Sequence, residues 1–276
     1  MTNYTNKITL VGTITEKAVE LRTKNGRDYI TGKFTLENKF GSFYLRTFCY
    51  ATKKDGTANK MFDHAQRILD TPEGGRINVT CRMQENIYYS SKKDETVAST
   101  ELDVQFTSLK NLDEDVAEGF IEGVIGKVRN GQNGPEVNIN WVDFRGNLHI
   151  IPVQVEDDEE FIDAINDAVG NVATFKIAAV KKVVGGSQKT VKTFRGNDHV
   201  VGGFSRTFWT AIDADELIDD DEDEKFVTKA KLKELLEIRQ ADFDSKKSEY
   251  ENRMTIPAPT TNASPFTDEE LDLFGF

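Results

Sequence analysis

The sequence predicts a mainly β chain: two small five-stranded barrels in tandem, then an acidic segment, a helix and a flexible acidic tail. Three observations predict it. Stretches of alternating apolar and polar residues, the period of half-buried strands, recur through the first 212 residues. Their order, three strands, a helix and two strands, occurs twice. After residue 212 the alternation stops, and charge and then proline take over. The expected boundaries are 1–112 and 113–212 for the barrels, 213–254 for the acidic segment and helix, and 255–276 for the linker and tip.

The first barrel begins at residues 7–15, where Ile8, Leu10, Gly12 and Ile14 share one side. A glycine inside a strand permits the tight bend a small barrel asks of its first strand. Asn25-Gly26 is a hairpin signal. In the second strand, Ile30, Phe34 and Leu36 are expected inward and Tyr29, Thr31 and Lys33 outward. The third strand, residues 43–50, has two chemically different faces because successive side chains alternate. Phe43, Leu45, Thr47 and Cys49 suit a core, while Tyr44, Arg46, Phe48 and Tyr50 form the opposite face. Rings stack on bases of any sequence and a guanidinium meets phosphate, so that second face fits a platform for single-stranded nucleic acid. A strand buried on both sides satisfies the same pattern.

Phe62, Ala65, Ile68 and Leu69 follow helical spacing, and the helix stops at Pro72 and Gly74-Gly75. Strands follow at residues 76–83 and 102–109, separated by a loop with Tyr88, Tyr89, Lys92 and Lys93. This is the element order of an OB-fold, a barrel that binds oligonucleotides.

The second barrel repeats that order. Ile121, Gly123 and Ile125 stand where Leu10, Gly12 and Ile14 stood, and Asn133-Gly134 echoes Asn25-Gly26. Strands at 137–144 and 148–155, a helix around Phe161 and Ile165, and strands at 172–184 and 204–212 complete it. Its chemistry differs, since Pro152 and Gln154 align with Phe48 and Tyr50. In place of a stacking face it carries a basic loop with Lys181, Lys182, Lys189, Lys192 and Arg195, which a solvated hairpin tip would explain as well. Trp141 and Trp209 are expected in the core, although either could stack on a base.

Residues 213–224 are mostly acidic and cannot fold alone. Residues 226–254 read as a helix whose apolar stripe thins beyond Phe243, so it should dock through its first half and fray later. Three prolines make residues 255–266 an extended linker. The end interleaves Asp268, Glu269, Glu270 and Asp272 with Leu271, Leu273, Phe274 and Phe276, the composition of a protein-docking peptide.

Net charge is −12, but it is distributed unevenly: +4 over residues 1–112, −5 over 113–212 and −11 over 213–276. No run is apolar enough to span a bilayer and the start lacks a signal-peptide layout, so a cytoplasmic protein with no membrane partner is expected. Cys49 and Cys81 have no metal or redox spacing and should be reduced and buried. His64, His149 and His199 lie in different elements, and no glycine-rich phosphate loop is present. The chain is therefore not expected to be an enzyme or to use a metal or cofactor.

The architecture resembles the single-stranded DNA-binding proteins of bacteria and their phages, which combine an OB-fold body, a linker and an acidic tip ending in Phe. The specific motif is residues 268–276. The resemblance implies binding of single-stranded DNA in replication, recombination or repair. It also implies recruitment of replication proteins (polymerase, primase/helicase or recombinase) through the tip, with Phe276 as the anchoring aromatic. Two barrels in one chain and a linker poor in glycine and glutamine depart from the bacterial pattern and point to a phage type. The rival reading is an acidic protein-interaction module, an adaptor or DNA mimic whose barrels bind proteins.

Overall fold

The computed structural model describes residues 4–131, 133–184, 189–192, 198–201, 204–219, 223 and 225–255. The first unit comprises β1 (Asn6–Lys24), β2 (Arg27–Asn38), β3 (Gly41–Tyr50), α1 (Phe62–Asp70), β4 (Arg76–Ser90) and β5 (Glu95–Ser108). β1 pairs with β2, β2 with β3, β3 in parallel with β5, β5 with β4, and β4 with β1, so the ring closes. The second comprises β6 (Val116–Ile125), β7 (Arg129–Gly131), β8 (Gly134–Val142), β9 (Leu148–Val155), α2 (Glu159–Asp167), β10 (Val172–Val184) and, later, β13 (Phe204–Ile218). Between the last two, β11 (Lys189–Lys192) and β12 (Asp198–Val201) form a separate two-stranded ribbon. Here β6 pairs with β8, β8 with β9, β9 in parallel with β13, β13 with β10, and β10 with β6. Both rings have the OB connectivity, and the chain is two OB-like barrels in tandem.

The barrels are fused rather than merely linked. Asn6 to Val11 of β1 pair antiparallel with Ile121 to Val116 of β6, making one 11-stranded sheet. Ile8 and Leu10 point to the same side as Ala117 and Ile121, and the apolar interiors of both barrels form one continuous cluster. At a second seam the Phe43 and Trp209 rings lie 5.6 Å apart, while Trp141 is buried and donates from Nε1 to the Tyr4 carbonyl.

Gly12 and Gly123 explain why the repeat is audible in the sequence. A Cβ on Gly12 would lie 2.5 Å from the Glu37 carbonyl oxygen, and one on Gly123 would lie 2.8 Å from that of Asn140. In each barrel the first strand needs a bare Cα where the second strand crosses close to it. The Asn25-Gly26 turn has φ of 51° and 74°, the left-handed pair that a two-residue hairpin requires.

α1 closes the first barrel with Ala65 and Ile68 buried, and α2 occupies the same place in the second with Ile165 buried. Asp158 caps α2 by accepting from the Phe161 backbone N–H. Cys49 and Cys81 are both free and buried, and burial pushes the Cys49 thiol up to about 11.

Several strands outrun their expected ends. β1 continues to Lys24, and β4 and β5 continue as a hairpin arm beyond the barrel, because main-chain pairing carries on after the inward side chains stop meeting a core. β13 runs to Ile218, so part of the acidic segment is strand paired with β10. The helix α3 (Lys229–Thr255) docks along both of its halves. Leu235 is buried, Arg239 donates to Glu85, Lys247 lies 3.1 Å from Asp94, and the Tyr250 ring stands 5.0 Å from Tyr89. Its later turns are held by ion pairs and a ring contact, which an apolar-stripe argument does not count. Among the described residues no helix is long and apolar enough to cross a membrane.

Candidate nucleic-acid interface

β2 and β3 lie side by side with Tyr29 opposite Tyr50, Thr31 opposite Phe48, Lys33 opposite Arg46 and Thr35 opposite Tyr44. Directly opposed antiparallel residues share a face. The inward residues Phe43, Leu45, Thr47 and Cys49 are all buried, as the alternation predicts, so their neighbours face out. Tyr44 is 75% exposed, and Phe48, Tyr50 and Arg46 are partly exposed.

The expectation for Tyr29 needs correction, because it is only 2% exposed. Its ring lies 5.6 Å from Phe48 and 5.4 Å from Tyr50, which themselves meet edge to face at 5.3 Å. Tyr29 is the floor of a ring cluster whose outer members are Phe48 and Tyr50. Arg27 completes it, with its guanidinium carbon 4.2 Å from the Tyr50 ring centroid. Arg27 is adjacent to the hairpin turn, and only the strand register reveals its place over Tyr50.

The cations of this face are paired. Glu101 Oε2 lies 3.4 Å from Arg46 Nη1, and its Oε1 lies 3.7 Å from the exposed Lys33 ammonium. Arg82 on β4 lies 3.2 Å from Asp103 on β5. Burial raises the Asp103 carboxyl above the usual carboxylate range, and Arg82 and Arg46 oppose that shift. The Lys33 ammonium is exposed and its contact with Glu101 is worth about 0–1 kcal/mol, so a ligand phosphate can take that contact over at little cost, whereas Arg82 and Asp103 are mostly covered.

Tyr88 and Tyr89 belong to β4 rather than to a loop, and the turn keeps only Lys92 and Lys93, both exposed. Tyr88 is 45% exposed. Tyr89 is engaged by α3, its hydroxyl donating to Asp94 and its ring facing Tyr250 and the Lys247 ammonium. Lys181 and Lys182 sit in β10, the first exposed and the second partly so. Lys189 and Lys192 bound β11. Arg195 and the docking residues 268–276 lie outside the described residues.

One wall of the site was not foreseen. The Arg46–Phe48 face borders a cleft of about 430 Å³ whose other sides are the β8–β9 turn, with Phe144 and Arg145, and α3, with Arg239 and Lys246. Phe144 is 47% exposed and its ring lies 5.1 Å from the Arg145 guanidinium. Asp143 builds that turn. Its Oδ1 accepts from the backbone N–H groups of Arg145 and Asn147 at 2.9 and 2.8 Å, and its Oδ2 faces Asn147 Nδ2 and His149 Nε2. Burial opposes ionisation, but His149 and the Asn147 and Arg145 donors outweigh it, holding the carboxyl at about 2. The adjacent Phe144 and Arg145 in a glycine-containing turn were the available sequence signal.

The family model described as YorF matches residues 5–258. No curated protein sequence matches the chain. Among solved structures, it is similar to a deletion mutant of the single-stranded DNA binding protein from Thermus aquaticus, with 15% identity and a TM-score of 0.48 over 81% of this chain and 100% of that one. The wild-type Thermus aquaticus protein gives 14% identity and a TM-score of 0.47 over 80% of this chain and 97% of that one. Likenesses this distant carry no argument about what the chain binds.

Proposed function

We propose that this chain, which belongs to the YorF family, binds single-stranded DNA with little regard to sequence. The observation that carries the reading is the outward row of β3. On a barrel of OB connectivity it offers Tyr44 and Phe48 as stacking surfaces beside Arg46 and Lys33. Bases stack on the rings, which every base can do, and phosphates take the place of Glu101 at Arg46 and Lys33. Chain-wide acidity keeps such binding from being indiscriminate, because the cations are confined to particular faces.

The finer role rests on the sequence resemblance. The protein would coat and protect single strands in phage replication, recombination or repair, in the host cytoplasm, and would bring replication enzymes to them through residues 268–276. A second reading, an acidic module that binds proteins, draws on Glu101 and Asp103, which place carboxylates on the same face.

Titrating the full chain into fluorescent oligothymidine at about 50 mM and about 200 mM salt separates the two readings, because phosphate contacts release counterions and weaken steeply with salt. Salt-sensitive binding supports the DNA reading. Absence of binding at the lower salt rejects it and leaves the protein-binding module.

A further inference from the structure

The fused sheet carries a second aromatic and cationic row that the proposed site does not use. In the β1–β6 pairing Lys7 stands directly opposite Phe120, and in the β6–β10 pairing Phe120 stands directly opposite Lys176. Their neighbours Ile8, Ile121 and Phe175 are buried at 0% exposure, so the row of three faces away from the core. Phe120 is 39% exposed on a strand with a neighbour on each side, where a central strand would ordinarily bury such a ring or carry a polar residue instead. Lys7 is exposed and Lys176 partly so, and neither has an ion-pair partner among the described residues. That sets them apart from Lys33, Arg46 and Arg82, which all face carboxylates.

The row also continues the first-barrel face. Arg46 pairs with Asp103, Asp103 with Arg82, and Arg82 follows Cys81, the partner of Ile8. The strands run β3-β5-β4-β1-β6-β10 across the sheet, so at about 4.8 Å per strand Phe120 lies about 19 Å along the sheet from Arg46. Glu118, two residues along β6, and Asp213, opposite Lys176 on β13, stand beside the row, and among the described residues neither makes an ion pair with its lysines.

We infer that Lys7, Phe120 and Lys176 form a bridging subsite on the seam between the barrels, where one base of a single strand stacks on Phe120 while the flanking ammonium groups meet its phosphates. The inference rests on the DNA-binding reading and extends it. The strand leaves the first barrel along the shared sheet instead of ending at β3. Charge complementarity and the shared row favour nucleic acid over a protein occupant, because two lysines around one ring suit a repeating anionic chain with planar groups.

The test compares oligothymidines of about 8 and about 30 nucleotides, since one OB barrel covers about 4–16. The full chain is used as wild type, Phe120→Ala, and Lys7→Gln with Lys176→Gln. Both variants should melt like wild type, bind the short strand unchanged and lose about 5- to 50-fold on the long one, given what a single base stack contributes. Unchanged binding of the long strand, or an equal loss on both lengths, overturns the bridging subsite. So does a change in oligomeric state with DNA binding intact, which would make the row a protein interface. If wild type binds neither length, the DNA reading itself falls and takes this inference with it.

Discussion

Glu101 holds two cations of the β2–β3 face at once, with Oε2 3.4 Å from Arg46 and Oε1 3.7 Å from Lys33. A third contact, from Asn86 Nδ2 at 3.0 Å, fixes its direction. The carboxylate keeps the face ordered and nearly neutral until an anion displaces it. Replacing Glu101 by Gln keeps the shape and the Asn86 contact but removes the charge. Oligothymidine should then bind several-fold more tightly at low salt, with the gain shrinking as salt screens both terms. Weaker binding by E101Q would mean that Glu101 positions the cations rather than competing for them.

Tyr44 and Tyr29 should behave as opposites although both lie on the outward face of the β2–β3 pair. Tyr44 is 75% exposed and makes no ring contact among the described residues, whereas Tyr29 is 2% exposed under Phe48 and Tyr50. Tyr44→Ala should cost about 1–3 kcal/mol of DNA binding and leave the melting temperature alone. Tyr29→Ala should cost about 3–5 kcal/mol of folding stability by opening a cavity beneath the ring cluster. Calorimetry of both variants beside DNA titration checks the pair, and a Tyr44→Ala protein that binds DNA normally would remove that ring from the site.

Asp143 gives the Phe144–Arg145 turn a defined pH dependence. Its carboxyl is held at about 2, below the ordinary value of 3.8, by the His149, Asn147 and Arg145 donors working against burial. A carboxylate more acidic in the folded state than in the unfolded one stabilises fully above the unfolded value, and loses that contribution as pH falls through the folded one. Wild type should therefore melt above Asp143→Asn at pH 7 and at pH 5, and the gap should narrow between about pH 4 and about pH 2. A gap that is constant down to about pH 3 would show that the turn is held by packing and not by the ionised carboxylate.

How far the sequence could be read follows from which forces leave a pattern. The barrels were legible because Ile8, Leu10 and Ile14 alternate toward a core, and because Gly12 and Gly123 mark the same crossing in each copy. The outward face of β3 was legible for the same reason. The fusion of the barrels was not, since Ile8 and Leu10 have the same burial pattern whichever strand pairs with β1. Tyr29 was placed on the right face but with the wrong burial: it stands opposite Tyr50 on the outward side, where the Phe48 and Tyr50 rings cover it, and alternation does not count cover supplied by a neighbouring strand. The docking of α3 beyond Leu235 rests on Arg239–Glu85 and Tyr250–Tyr89, contacts that join residues more than 150 positions apart and leave no local periodicity.

The tail offers the last prediction, and the geometry of α3 gives it a scale. α3 ends at Thr255, just past Tyr250, which lies against Tyr89 near the end of the β4–β5 arm. Seven residues separate Tyr89 from Arg82 on β4, about 23 Å of strand. Twelve residues, 256–267, stand between the end of α3 and the acidic tip, and a coil of twelve residues would span about 20 Å root-mean-square and about 40 Å at full extension. A tip on such a tether would come within reach of the Arg46 and Arg82 cations at an effective concentration of about the millimolar range. A contact too weak to matter between separate molecules can then compete with DNA for the same cations. Removing residues 268–276 should strengthen oligothymidine binding at low salt, change it little at high salt, and abolish capture of a replication enzyme by the full chain. Equal affinity of the truncated and full chains at low salt would reject the competition, and a truncated protein that still captures its enzyme would reject the docking role.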